Sequence, residues 1–334
     1  MASTASAAKP PYAQAIALIR QVTAGADSDL INGEALNPAT EEFLNRNVAI
    51  LDLLRQGAII QSTQWEPDTS DFRELESQIL AVGDLCKLCE LSAQTKLAVG
   101  RPTDARDDVL CAMALIRNIT RGLPFRYVKS IELGNEVFLL WRVAELTPSL
   151  PPDQVRQMSA ALEQLPAAVS PGEAICGDPQ FHAIQFARRA LPPAQLREAL
   201  DSFSLFCKAA AKEIEREPAL SQEEFEQRVA ELAKNIGPDA PRVARTLAEI
   251  SVKAIAHFHA SVCNHREWTG MFHCGLDIIR EGPSDVQKCL ESHGNGSFTY
   301  VPVDRGFAIQ AKTISPCTGK PIALRFGQAV RNQT

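Results

Sequence analysis

Apolar residues between positions 72 and 99 recur at steps of three and four, through Leu75, Ile79, Val82, Cys86 and Cys89, with a second row of Leu85, Leu88 and Leu91. This is the period of an α-helix, and two apolar rows predict a helix buried on more than one side. Gly100 can take the left-handed conformation just past a helix end, Pro102 blocks simple continuation, and Thr103 can cap a second helix carrying Val109, Met113, Ile116 and Ile119. The expectation is an αα-hairpin. Together with the residues up to Leu146, it reads as the framework on which the other segments are laid.

The helical period continues on both sides. It predicts helices over residues 12–22 and 38–60, separated by a polar stretch with a turn at Asn32-Gly33, and then a loop over 61–71 pinned to the core by Trp65. A helix is expected to start near Ser130 and run to Leu146, followed by a shorter one over 152–165 and a long connection over 166–180. Helical spacing resumes over 192–215, from Ser221, and from Pro241 toward Trp268. Ser221 and Glu224 have the spacing of a capping box, with Leu220 and Phe225 placed as a hydrophobic staple.

Beyond Gly282-Pro283 the period changes. Phe298, Tyr300, Phe307, Ile309, Ile322, Leu324 and Phe326 fall on alternating positions, with turn signals at Asp304-Arg305-Gly306 and Thr318-Gly319-Lys320. The predicted fold class is mainly α: irregular stacked αα-hairpins of a TPR-like kind, with a small C-terminal antiparallel β-hairpin or three-stranded sheet packed on the helices. The expected division is a tail over 1–12, a helical domain over 13–280 and a β-rich segment over 281–330.

Composition narrows the function classes. In 334 residues, 45% hydrophobic and 22% charged, a substantial core can form without metals or disulfides. The formal net charge of −6, with no clustered Lys and Arg, argues against a nucleic-acid partner. No apolar run is long enough to span a membrane. Residues 4–11 are small and lack the charged and apolar regions of an export signal, which leaves room for a signal or anchor already removed and an extracytoplasmic location.

The hairpin, with small residues Ala93, Gly100, Ala105 and Ala112 around its turn, resembles a single degenerate tetratricopeptide-type unit. More broadly, residues 45–165 and 298–327, the latter containing Gly306-Phe307-Ala308-Ile309 and Pro316-Cys317-Thr318-Gly319-Lys320-Pro321-Ile322, resemble a group of uncharacterised bacterial proteins, often exported or anchored. In that group irregular helical hairpins precede a small pseudopilin-like β segment. The resemblance implies architecture and an extracytoplasmic home, and it carries no activity.

Candidate chemistry concentrates late in the chain, where His257, His259, Cys263, His265, His273, Cys274, Cys289 and His293 fall close together. His259 and Cys263 are one helical turn apart and share a face, a set suited to zinc or another transition metal, with His265 and a loop residue such as His273 or Cys274 to complete it. Disulfides among Cys263, Cys274, Cys289 and Cys317, or packing as small hydrophobes, are the other uses of these side chains. Cys86 and Cys89 sit in mid-helix on the buried stripe and read as core. Asp104, Asp107 and Asp108 resemble the Mg²⁺-diphosphate carboxylates of helical terpene cyclases, but favourable charge in a first helical turn accounts for them. Glu132 and Glu136, one turn apart, read as a solvated face. No nucleophile elbow, phosphate loop or dinucleotide fingerprint is present.

The function expected is a non-catalytic helical scaffold that binds a protein or peptide in a groove between hairpins. The alternative is a metalloprotein, a hydrolase or oxidoreductase, using His259, Cys263, His265, His273 and Cys274. A weaker one is a helical isoprenoid-type enzyme with an Asp-rich Mg²⁺ site.

Overall fold

The structure, a computed structural model, describes residues 10–25, 38–59, 71–186, 192–216, 220–237, 239–294, 296–314 and 321–327. The expected turn at Asn32-Gly33, Trp65, Cys317 and the Thr318-Gly319-Lys320 turn lie outside these residues. The chain is mainly α with a small three-stranded antiparallel sheet at its C-terminal end. No described helix is long and apolar enough to cross a membrane.

The predicted hairpin forms. Helices α1 (Pro11–Thr23) and α2 (Pro38–Arg46) pack beside α4 (Phe72–Ala98), which turns back into α5 (Pro102–Gly122), and α3 (Val48–Ile59) packs on α1 and α5. Gly100 takes φ +76°, a left-handed conformation that side chains rarely adopt, and its N–H bonds back to Leu97 O. The second helix starts before Thr103: Arg101 is its cap position and Pro102 fills the first turn, where a missing N–H costs nothing. The single helix expected over 38–60 is two helices, broken at Asn47, whose side-chain amide donates to Phe43 O and competes with continuous helix.

Helix α6 (Arg126–Leu146) begins one turn earlier than expected and leads through a 3₁₀ turn into α7 (Pro152–Glu163). The stretch expected to be a long connection contains α8 (Pro171–Cys176) and α9 (Asp178–Phe186). Its start signal was in plain view: Ser170 and Glu173 form a reciprocal capping box. The capping box at Ser221 and Glu224 also forms, opening α11 (Gln222–Lys234) after α10 (Pro193–Glu215).

The longest element is α12 (Arg242–Glu281), forty residues and about 60 Å of helix. Its N-terminal part, from Leu247 to Val262, packs with α8, α10 and α11 in one apolar cluster. From Met271 to Ile278 it enters a second and larger cluster, shared with α1 to α7 and the sheet. Thus α12 joins two cores, and α6 does the same, with Leu133 in the smaller and Leu139, Leu140 and Val143 in the larger.

After α12, α13 (Val286–Gly294) precedes β1 (Phe298–Val303), β2 (Gly306–Ile314) and β3 (Pro321–Phe326), in spatial order β1-β2-β3. The register pairs Tyr300 with Ile309 and Phe307 with Phe326, with an irregularity between Gln310 and Ile314. Alternation puts Ile309, Leu324 and Phe326 on a buried face against α12 and α6. Phe326 stacks between Phe307 and Phe272, at 5.0 and 6.1 Å between ring centroids. It also lies against Gly275 of α12, where an added Cβ would come within 2.0 Å of the ring.

Because Phe326 is held on both sides, it cannot retreat from a new side chain at that position. Gly275→Val is therefore expected to destabilise the protein by about 1–3 kcal/mol despite the loss of a helix glycine, measured as a lowered urea midpoint. An unchanged or raised midpoint would show that the sheet is not docked through this contact.

Candidate functional site

One buried polar cluster lies where the two cores meet. On α12 none of the residues between Val262 and Met271 is among the buried residues of either apolar cluster, although Trp268 packs against the larger, and His265 sits in this stretch. Its Nε2 is 2.7 Å from Glu136 Oε2 on α6. Glu136 is 1% exposed, and its other oxygen receives the Arg117 Nε–H from α5, while Arg117 Nη1 donates to Pro166 O at 3.3 Å. One carboxylate therefore ties three helices together. Burial alone would raise its pKa, but the hydrogen bond from His265 and the charge and hydrogen bond of Arg117 outweigh this and lower it to about 2.

One turn before it, Glu132 is fully buried and paired with Lys129, itself 3% exposed. Burial raises the Glu132 pKa, and the Lys129 ammonium partly opposes that shift. Glu132 and Glu136 are thus not the solvated face that their spacing suggested. They lie on the side of α6 that faces protein, because each has a cation within reach on a helix beside it or one turn away.

The five residues proposed as metal ligands all fall on α12, which runs past Trp268 and makes His273 and Cys274 helical rather than loop residues. From His259 to His273 the helix advances about 21 Å, so the set does not converge on one ion. The structure divides it instead. His259 is stacked on Phe225 at 3.9 Å, with Cys263 Sγ 3.5 Å from its Nε2. Burial, and then Arg266, lowers the His259 pKa, while burial raises that of Cys263, which leaves a neutral imidazole and thiol at neutral pH. His265 is engaged by Glu136. His273 lies 6.3 Å, ring to ring, from His293, which bonds Asp277 at 2.7 Å. Cys274 is buried, and burial with nearby Cys289 and Asp277 pushes its thiol up to about 12. Among the described residues no three His, Cys, Asp or Glu side chains form a group that could hold a metal ion, and the described cysteines are free. Cys86 and Cys89 are buried in the core, as their stripe predicted.

The acidic run also divides. Asp104 bonds Arg101 at 2.6 Å and Asp107 bonds Arg106, both near the surface. Asp108 is 1% exposed and receives Arg55 at 2.8 Å, Ser92 Oγ at 2.6 Å, and Lys96. It joins α3, α4 and α5 beneath an open groove of about 530 Å³. One wall is α2 and α3, with Leu44, Val48, Leu51 and Arg55; the other is the α4–α5 hairpin, with Thr95, Lys96, Val99 and Arg101. Val48 and Val99 are 49% and 63% exposed, while Glu41, Asp104 and Asp107 bring negative charge to the rim. A second, smaller cavity of about 230 Å³ lies between α5, α6, α7 and α12, with Arg117 and Glu136 in its wall.

The fold and its sites define a mainly α protein with a small antiparallel sheet, buried ion pairs between its helices, and cavities between helical layers. Comparison with family models, curated proteins and solved structures returns no match to this chain.

Two outcomes follow from the ion pairs. Glu132→Leu leaves the Lys129 ammonium buried without its partner and is expected to cost about 3–5 kcal/mol in urea unfolding; adding Lys129→Met should recover most of it. Recovery of nothing by the second change would show that the two do not act as a pair. For Glu136 the folded-state pKa lies below the unfolded one, so its stabilisation is complete above about pH 5 and is lost as the pH falls toward 2. Glu136→Gln should lower stability at neutral pH and flatten the acid limb of the stability profile over that window. Parallel limbs for the two proteins would remove this assignment.

Proposed function

We propose that the protein is a non-catalytic helical scaffold that seats a protein or peptide segment in the groove between the α2–α3 pair and the α4–α5 hairpin. One observation carries this reading: the groove is open, its two walls are separate helical pairs, and each presents an exposed valine to solvent beside fixed charges. Paired helices commonly receive an amphipathic helix in such a channel, apolar residues providing contact area and the charged rim fixing register. The α4–α5 hairpin serves here as a tetratricopeptide-type unit would, offering a helical wall. Asp108 supports the reading by holding Arg55 and Lys96 in place under the groove, so that binding need not order them.

Selection of a displayed random peptide library on the full chain tests this. Peptides with apolar residues at helical spacing are expected, and the double variant Val48→Asp, Val99→Asp should weaken them about tenfold or more. Both valines are exposed, so the unfolding midpoint should stay near that of the parent. Failure to enrich any peptide, or equal binding by the double variant, would overturn the proposal.

A further inference from the structure

The smaller cavity has a polarity unlike that of the groove. Its floor is apolar, formed by Met113 of α5, Leu140 of α6, Leu162 of α7 and Phe272 of α12. At about 230 Å³ it falls below the ~300–1,000 Å³ typical of drug-sized ligands and suits a molecule with a short chain.

The charged groups in its wall are not equally available. Arg117 is engaged by Glu136 and Pro166 O, and Glu136 is engaged in turn by Arg117 and His265. The two side chains therefore compensate each other's charge, although Arg117 keeps N–H groups beyond those two bonds. Three other polar groups line the cavity. Glu163, at the C-terminal end of α7, has no hydrogen-bond or ion-pair partner among the described residues. Thr269 Oγ1 is buried, also without a hydrogen-bond partner there, although a helical threonine ordinarily bonds a carbonyl one turn back. His273 completes the group at the solvent side, and its imidazole, when neutral, can accept a hydrogen bond.

A carboxylate only accepts, a hydroxyl and a neutral imidazole can each accept as well as donate, and the exposed Glu163 carboxylate adds one negative charge with no cation paired to it among the described residues. An ammonium group has three donors and no acceptor, and so matches them. A carboxylate ligand would face Glu163 with no uncompensated cation to meet it, and an alcohol would leave that charge unanswered.

We propose that this cavity is a binding site for a small primary amine with a short apolar chain, its ammonium received by Glu163, Thr269 and His273 and its chain lying on Leu140, Leu162 and Phe272. The site is separate from the peptide groove and does not depend on it.

Calorimetric titration of the full chain at neutral pH with n-butylammonium, n-butanol and butanoate tests the proposal. Saturable binding of one n-butylammonium per chain is expected, about tenfold or more tighter than n-butanol, with butanoate weakest. Glu163→Gln should weaken the amine about tenfold and leave the alcohol unchanged; Thr269→Val should weaken the amine without altering the unfolding midpoint. Glu163 is exposed, so its variant should fold as the parent does. Absence of saturable amine binding, equal binding of the three probes, or amine binding unaffected by both variants would overturn it.

Discussion

The carboxylate of Glu136 is the point on which the two halves of the molecule depend. A buried carboxylate with no partner would be protonated or would draw its helix toward water, because the desolvation of a lone charge exceeds what any single helix contact returns. Here it is shared by Arg117 of α5 and His265 of α12. The three helices cannot slide past one another without separating that charge from one of its partners. Apolar packing on either side tolerates small shifts; an ion pair at the junction of two cores does not. The interaction thus sets how α12 leaves one core and enters the other.

This arrangement explains which parts of the fold were legible in the sequence. Elements with strong punctuation were readable: the hairpin at Gly100, the capped start of α11 and the alternating strands all form. The errors fall where a short signal competes with a longer one. Asn47 interrupts an otherwise continuous apolar stripe, and Ser170 opens a helix of only six residues inside a stretch rich in proline and glycine. The expected framework, residues 72–146, holds about half of the larger core, and both α6 within it and α12 outside it reach the two clusters. Periodicity shows that a helix has an apolar face without showing that the face changes partners midway.

The site was less legible, for a definite physical reason. Sequence spacing places Glu132 and Glu136 on one side of a helix but cannot show that Lys129, Arg117 and His265 are there to neutralise them, and without those partners exposure is the cheaper assumption. The same blindness made Asp104, Asp107 and Asp108 look like one acidic motif, although Asp108 lies buried under Arg55, Lys96 and Ser92 while the other two stay near the surface. For the histidines and cysteines of α12, proximity in sequence misled because a helix spreads its residues along an axis. Side chains one turn apart meet, as His259 and Cys263 do, whereas His259 and His273 are separated by nearly four turns.

The two cavities differ because of what fixes their walls. The groove over Asp108 has rim charges of both signs and exposed valines, so an extended or helical segment can be accepted with modest adjustment of long side chains. The cavity beside Glu136 is walled by helices that the buried ion pair holds in register, and its volume admits only a small molecule. A rigid wall can select more sharply than a yielding one where a polar group in it, such as the Thr269 hydroxyl, cannot turn away to water. Thr269 shows this most directly: its hydroxyl lines the cavity without a partner on α12, and a ligand donor there would satisfy it at little conformational cost.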